Sequence, residues 1–264
     1  MNIIKREWKA QFKSMIIWSV ALIVLVSTAM VEYGSFADNP AINDFMKALP
    51  EGILGVIGMN NLSLSNLNSF IGMLALYLSL LLSIQATLLG GSIISKEETF
   101  KTAEFLFVKP ISRKKVIIEK MVSAIVMISF LNVITFLAII ISTLNYEKGD
   151  DFNSFLLLLS VSIFIIQMVF LSIGMLIAAM SKHPKKSGNI SVGILVVTFL
   201  IASLINIVES VDFLAIITPF KYFEASYILD EMRLKPFYLL LSTVIIIIGL
   251  GGTLVSYPKR DLSI

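Results

Sequence analysis

Residues 152–181 read FNSFLLLLSVSIFIIQMVFLSIGMLIAAMS, a run without a single charged side chain. A helix needs about 20 consecutive apolar residues to cross roughly 30 Å of hydrocarbon, and this run is long enough. Five further stretches meet the same criterion, which predicts six membrane-spanning helices in one transmembrane domain, 1–264. The expected spans are 14–31, 70–94, 121–144, 155–180, 188–208 and 237–257.

The composition excludes most soluble classes of protein. Apolar residues make up 57% of the chain and charged residues only 15%, and the mean hydropathy is +0.90. A soluble domain has about 45–50% apolar and about 25% charged residues. The chain has no cysteine, which excludes disulfides and thiolate metal sites, and its net charge of +3 is too small to indicate nucleic-acid binding. Because the apolar runs lack strict alternation, we expect an all-α integral membrane protein rather than a β-barrel.

The distribution of charge predicts the orientation of the spans. An even number of spans puts both termini on one side of the membrane, and 16 of the 21 lysine and arginine residues fall on that side. Cytoplasmic loops are rich in basic residues, so both termini are expected to be cytoplasmic, in a bacterial cell membrane. A cleaved signal peptide does not fit 14–31, because its apolar part is too long and no small-residue cleavage site follows.

Several kinds of chemistry lack their residues in this sequence. No charged residue falls inside a predicted span, so proton or sodium coupling has no intramembrane ionisable group. The phosphate-binding pattern Gly-x-x-x-x-Gly-Lys-Ser/Thr is absent. His183 is the only histidine, which argues against a metal site. Neutral polar residues of the spans are expected to hydrogen-bond between helices: Gln85, Thr87, Asn132, Thr135, Gln167 and Asn206.

The first residues predict a separate amphipathic helix. Ile4, Trp8 and Phe12 recur every four residues, whereas Lys9 and Lys13 fall on the opposite face. This pattern is typical of a helix that lies in the membrane interface with its tryptophan at the boundary. The expected interface residues are therefore Trp8, Lys9, Phe12 and Lys13, and the alternative is a frayed cytoplasmic start.

Two long segments are expected on the outer side, 32–69 and 209–236. The first contains turn residues at 38–40 and short semi-apolar stretches, and nothing in it resembles a catalytic site. The second contains the aromatic sequence TPFKYF at 218–223. Since a proline breaks this segment, it either dips back into the membrane as a re-entrant helix or lies flat in the interface. Both alternatives stay open at this point.

The loop 95–120 is the most informative segment outside the spans. Ser95 and Glu98 have the spacing of a capping box, which predicts that a new helix begins there. Pro110 would stop that helix, and Ser112 would cap the next one. An exposed Phe-Leu-Phe sequence at 105–107 beside charges predicts a partner surface, with lipid headgroups as the alternative contact. We expect the aromatic residues at the centre of this surface and Glu97 at its rim.

The same loop resembles the cytoplasmic loop of ABC-2-type ABC transporter permeases. That family has a Glu-rich start, then Thr-x-Glu-(aromatic or Leu)-Leu, then Pro-(Ile/Val)-Ser-Arg and a later lysine. This chain has KEETFKTAEFLFVKPISR at 96–113, followed by Lys120. The family often has Pro-Phe-Lys-Tyr-Phe before its last span, and this chain has that sequence at 219–223. Lys101 departs from the pattern, because the family often has glycine there.

The resemblance implies an exporter permease that depends on partner chains. Such permeases pair, as homodimers or heterodimers, and each pair binds two separate ABC ATPase subunits on the cytoplasmic side. ATP and Mg would be bound by those partners and not by this chain, and substrate would leave outward. The other expected contact is membrane lipid, and no nucleic acid is expected. The residues expected to couple to the ATPase are Glu97, Glu98, Thr102, Glu104, Phe105, Leu106, Pro110, Ser112 and Arg113.

Two other interpretations stay open at the level of sequence. A non-transporting membrane scaffold or sensor would have the same spans, and a membrane-embedded enzyme would need a polar catalytic cluster. ATPase activity that requires a co-purified partner would distinguish a permease from both. The substrate is not determined, because peptides, lipids, antibiotics and sodium ions all fit some member of the family.

Overall fold

The computed structural model describes residues 3–37, 48, 50–56, 62–101, 112–181 and 184–259, and the regular structure in those residues is helical. Two 3₁₀ helices, Glu209–Ile216 and Pro219–Lys221, lie between the last long α-helices. The α-helices are α1 (Ile3–Ala37), α2 (Glu51–Val56), α3 (Leu67–Thr99), α4 (Arg113–Ser142), α5 (Phe152–Met180), α6 (Pro184–Ile207), α7 (Ala225–Glu231) and α8 (Pro236–Lys259).

Six of the described helices, namely α1, α3, α4, α5, α6 and α8, are long and apolar enough to cross a membrane. They confirm the predicted all-α fold class with six membrane helices. The helical form follows from the surrounding hydrocarbon, where every backbone N–H and C=O needs a partner inside its own segment. An α-helix supplies those partners without any neighbouring chain.

Helix α5 lies at the centre of the bundle. It packs along α3 in the same direction, since Gly72 lies against Phe155 and Gly90 against Leu171. It also contacts α6 and α8, whereas α1 packs mainly against α4. Of the six long helices, α3 and α5 are the most buried, and α1 and α8 are the most exposed. The core is therefore formed by α3 and α5, with the other helices placed around them.

Two glycines allow α3 and α5 to approach closely. A Cβ at Gly90 would lie 2.5 Å from the carbonyl oxygen of Leu171, and a Cβ at Gly174 would lie 2.6 Å from that of Thr87. Both atoms belong to helix backbones, which cannot move aside as a side chain can. Small residues at such crossings are the usual means by which membrane helices pack tightly.

Asn132 joins α4 to α5 through hydrogen bonds. Its Nδ2 donates to the Ser160 carbonyl oxygen and to Gln167 Oε1, both at 3.2 Å, and Ser160 Oγ donates to Asn132 Oδ1 at 2.7 Å. The predicted interhelical role is thus confirmed for Asn132 and Gln167. Thr87 and Thr135 instead donate to carbonyl oxygens one turn earlier in their own helices, a common arrangement for hydroxyls in apolar helices.

The N-terminal residues do not form the separate interfacial helix that the sequence predicted. They belong to α1, a single helix of 35 residues that continues through the first predicted span. At about 1.5 Å per residue this helix is about 52 Å long, so its ends extend beyond roughly 30 Å of hydrocarbon. The first turns of α1 therefore continue the direction of the span instead of lying flat.

Packing against α4 explains why α1 continues straight into its first turns. Ile3 and Glu7 are completely buried, and the Trp8 ring contacts Phe130 edge to face at a centroid distance of 5.6 Å. The face that was predicted to be apolar from the four-residue spacing of Ile4, Trp8 and Phe12 is thus partly a contact with protein. Three of the four predicted interface residues are exposed: Lys9, Phe12 and Lys13.

The segment between α6 and α7 returns into the bundle. Thr218 Oγ1 donates to the Thr198 carbonyl oxygen at 2.8 Å. Thr198 lies about 13 Å along the helix axis from the end of α6. Phe220 lies against both Phe170 and Phe199, at centroid distances of 5.2 and 5.3 Å. Of the two alternatives left open by the sequence, the structure has the re-entrant one, built from two 3₁₀ helices.

The re-entrant segment is anchored by Tyr222, in keeping with the rule that irregular backbone at this depth is enclosed by protein. The Tyr222 hydroxyl donates to the Ile216 carbonyl oxygen at 2.5 Å, and its ring stacks on Tyr238 of α8 at 4.8 Å. The Tyr222 side chain thus connects the re-entrant segment to α8.

Candidate functional site

Five charged side chains meet where α1, α3 and α4 end, on the side of the membrane that carries both termini. We call them the charge cluster: Arg6 and Glu7 from α1, Lys96 and Glu97 from α3, and Lys120 from α4. The side chains of Glu7 and Lys120 are 0% exposed, and that of Glu97 is 4% exposed. The cluster is thus a buried feature of the bundle with an accessible edge at Arg6 and Lys96.

Glu97 is the centre of the charge cluster. Its Oε2 bonds to Lys120 Nζ, and its Oε1 accepts a hydrogen bond from Arg6 Nη2 at 2.8 Å. Lys120 Nζ also donates to the Ile93 carbonyl oxygen, one turn earlier on α3, at 2.5 Å. A single carboxylate therefore holds both α1 and α4 to the end of α3.

Glu7 supplies the second carboxylate of the cluster. Lys96 Nζ bonds to Glu7 Oε2, and Arg6 Nη2 lies 3.3 Å from Glu7 Oε1. Lys120 Nζ lies 4.0 Å from the same Oε1 atom. Three cations thus surround two carboxylates. Buried charges need such partners, because moving an unpaired charge from water into a protein interior costs several kcal/mol.

A further carboxylate holds the start of α1 to α4. The backbone N–H of Ile3 donates to Glu119 Oε2 at 3.3 Å. This bond satisfies one of the N–H groups that a helix leaves unpaired in its first turn, and the negative charge faces the positive end of the helix dipole. The two helices are therefore joined by polar contacts as well as by apolar packing.

The predicted helix start at Ser95 is wrong. Helix α3 continues to Thr99, and Ser95 Oγ donates to the Gly91 carbonyl oxygen at 2.8 Å inside that helix. Helix α3 continues past Ser95 because Glu97 is buried against α1 and α4, where Arg6 and Lys120 are its cationic partners. Glu97 and Glu98 are only 3% and 5% exposed. The sequence predicted Glu97 at the rim of an exposed surface. In the structure Glu97 is buried instead.

The chain adopts a left-handed conformation at Lys101, two residues after the end of α3. The Lys101 N–H donates to the Glu98 carbonyl oxygen at 3.2 Å, and Lys101 has a φ of 54°. Glycine is favoured at this position after a helix, because a Cβ disfavours positive φ. Lys101 is the residue that departs from the loop pattern described above. Because this chain has no glycine there, a lysine adopts the positive φ.

Helix α4 begins as predicted after Ser112. The Ser112 side chain accepts a hydrogen bond from the Lys115 backbone N–H at 3.3 Å, which is the expected N-cap. Arg113 Nη1 donates to the Pro258 carbonyl oxygen at 3.3 Å and so connects the start of α4 to the end of α8. The other residues of the predicted coupling surface lie outside the described residues: Thr102, Glu104, Phe105, Leu106 and Pro110.

Neither Glu7 nor the structural role of Lys120 was predicted from the sequence. One signal was present, because Glu7 is the only acidic residue before Glu32 and stands among basic residues. Within the part of the chain that the structure describes, no three histidine, aspartate or glutamate residues are grouped so that they could hold a metal ion. The charge cluster binds the ends of three helices together.

Removing the charge of Glu97 should destabilise the bundle, because Lys120 would stay buried without its nearest counter-charge. For Glu97→Gln we expect a loss of about 3–5 kcal/mol, seen as a lower unfolding temperature in detergent. Lys114→Met, which removes an exposed charge from α4, is the control and should change stability by less than about 0.5 kcal/mol. Adding Lys120→Met to Glu97→Gln should recover part of the loss, and a double variant that is less stable still would contradict the pairing.

Replacing Lys101 by glycine should stabilise the end of α3. Relief of the left-handed conformation is worth about 1 kcal/mol, so we expect a small increase in unfolding temperature. Phe100→Gly is the matched control, because Phe100 is an exposed neighbour with a φ of −94° and gains nothing from glycine. An increase for Phe100→Gly that equals the increase for Lys101→Gly would show that the backbone conformation is not the cause.

Comparison with known families agrees with this geometry. A family model described as ABC-2 family transporter protein matches residues 1–262. No match was found among curated proteins. The family match covers nearly the whole chain, and the six long apolar helices are what a membrane component of a transporter requires. The protein is accordingly a membrane permease of an ABC transporter, and the chain belongs to the ABC-2 family of transporter proteins.

Proposed function

We propose that this permease is the export subunit of its transporter and that the loop 95–120 couples it to a cytoplasmic pair of ABC ATPase subunits. The charge cluster is the observation that carries the proposal, because it joins both ends of the segment 102–111 to three membrane helices. ATP and Mg would be bound by the ATPase partner, since this chain has no Gly-x-x-x-x-Gly-Lys-Ser/Thr sequence.

The contact between Glu97 and Lys120 makes the two ends of this loop move together. Helix α3 leads the chain into the loop after Thr99, and α4 receives it at Ser112. A force applied by an ATPase to the intervening residues therefore acts on α3 and α4 at once. Through Glu7 it also acts on α1, so the three helix ends respond as one rigid body.

The close contact of α3 with α5 passes this movement to the centre of the bundle. The backbone of α3 at Gly90 lies directly against the backbone of α5 at Leu171. Because close-packed interiors transmit displacement, α5 must follow or the contact must slide. The proposed route from the ATPase to the transport pathway thus runs through the loop, the charge cluster and the α3–α5 contact.

Charge and exposure support the remaining parts of the proposal. The excess of basic residues on the side of both termini supports a cytoplasmic position for the charge cluster. The exposed apolar faces of α1 and α8 supply surfaces for lipid and for a second permease subunit, identical or different. A pore between two such subunits needs no charged residue inside any span.

Phe105→Ala should weaken capture of the ABC ATPase that is co-expressed with the full-length chain. We expect a loss of about tenfold or more in ATPase captured and in ATP turnover in membranes, because a buried aromatic anchor contributes more than a rim contact. Phe213→Ala is the matched control, since Phe213 is 71% exposed on the opposite side of the bundle.

Normal ATPase capture and turnover in both Phe105→Ala and Glu104→Ala would contradict this assignment. In that case the loop 95–120 would not be the coupling surface, and the short loop 181–187 would be the next segment to test. An equal loss for Phe213→Ala would indicate a general folding defect instead of a lost contact.

A further inference from the structure

A cavity of about 80 Å³ lies between α3, α5, α6 and the re-entrant segment, towards the end of the bundle opposite the termini. Small side chains leave room for it, with Gly72, Ala75 and Ser79 on α3 and Ala202 on α6. The walls come from four parts of the chain that are distant in sequence. The cavity is partly open to the outside and carries a few convergent polar groups, as small-molecule sites do.

One end of the cavity carries an ion pair. Lys221 Nζ bonds to the Glu224 carboxylate and donates to Asn206 Oδ1 at 2.7 Å. The Lys221 side chain is 14% exposed and that of Glu224 is 34% exposed. The pair is thus largely withdrawn from water but still reachable from outside the bundle.

The other end of the cavity is apolar and lies deeper in the bundle. It is lined by Ile166, Phe199 and Phe220, and the two phenylalanine rings contact each other edge to face. Asn206 stands at the outer end of α6, and Phe199 lies about 10 Å further in along the same helix. The charged end is therefore level with the ends of the helices, and the apolar end is level with the membrane interior.

The ion pair restricts the kind of ligand that fits. An anion alone would pair with Lys221 and leave Glu224 unpaired, and a cation alone would do the reverse. Loss of the partner is unfavourable for a charge that is withdrawn from water, and more so for Lys221 than for the more exposed Glu224. A zwitterion exchanges one ion pair for two, because its cationic group can bind Glu224 while its oxyanion binds Lys221.

We propose that this cavity binds a zwitterionic amphiphile, with its ammonium group on Glu224, its oxyanion on Lys221 and its apolar part against Phe199 and Phe220. A phosphatidylethanolamine headgroup with its chains and a free amino acid with an apolar side chain share this chemistry. The proposal goes beyond the transport function and does not require the ATPase, so its test uses the full-length permease alone.

The test is calorimetric titration of the full-length chain in an uncharged maltoside detergent. The probes are dihexanoyl phosphatidylethanolamine and L-leucine, and dihexanoyl phosphatidylglycerol is the anionic comparison. We expect saturable binding of a zwitterionic probe and at least about tenfold weaker binding of the anionic lipid. Binding of the ethanolamine lipid alone would identify a lipid ligand, and binding of leucine alone would identify a free amino acid.

Two variants connect that binding to the cavity. Glu224→Gln should weaken it by about tenfold or more, because the ammonium group loses its counter-charge. Ser79→Leu should also weaken it, because the added side chain fills the cavity from α3 and leaves the ion pair intact. The matched control is Glu231→Gln, since Glu231 pairs with Arg233 at 2.7 Å on the exposed surface and should not affect binding.

Three results would overturn the proposal. They are the absence of saturable binding of both zwitterionic probes to the wild-type chain, equal affinity for the anionic lipid, and unchanged affinity in either Ser79→Leu or Glu224→Gln. Unfolding temperatures of the variants show whether each one is folded. If one variant does not fold, the other variant and the comparison of probes still decide the question.

Discussion

The contact between Glu97 and Lys120 is the interaction on which the arrangement of the bundle depends, because neither charge can remain buried without the other. It fixes the end of α3 to the start of α4, although a long loop separates them in the chain. Arg6 and Glu7 bring the start of α1 to the same place. Three of the six long helices described here are thus held together at one end by charge.

The pairing of charges at the ends of α1, α3 and α4 also suggests how a permease without a phosphate-binding loop of its own could respond to a partner ATPase. Apolar contacts between membrane helices have little direction and allow sliding, whereas paired charges fix position and register. In the proposed function, a force applied by the partner to the segment between α3 and α4 would act on several helices at once. The close backbone approach of α3 and α5 at Gly90 would pass part of this force to the centre of the bundle.

The six long helices could be predicted from the sequence because length and apolarity are local properties, as 152–181 illustrates. The charge cluster could not, because its members come from three helices that lie far apart in the chain, and no local pattern records such a pairing. Ser95 and Glu98 have capping-box spacing, but the same spacing also fits the interior of a helix, and tertiary burial decided between them. The position of Phe220 could not be predicted for a similar reason. An aromatic segment is compatible both with a helix in the membrane interface and with a re-entrant segment buried in the bundle.

If the charge cluster is rigid, the ends of α1, α3 and α4 move as a unit when the ATPase acts. Spin labels at Lys9, Phe100 and Lys186 report on this movement, because all three side chains are exposed and the chain has no native cysteine. Pulsed electron-spin distance measurements on the complex with its ATPase would compare the nucleotide-free and ATP-trapped states. We expect an unchanged Lys9–Phe100 distance and a changed Phe100–Lys186 distance. A change in the Lys9–Phe100 distance as large as that in the Phe100–Lys186 distance, or no change in either, would contradict this expectation.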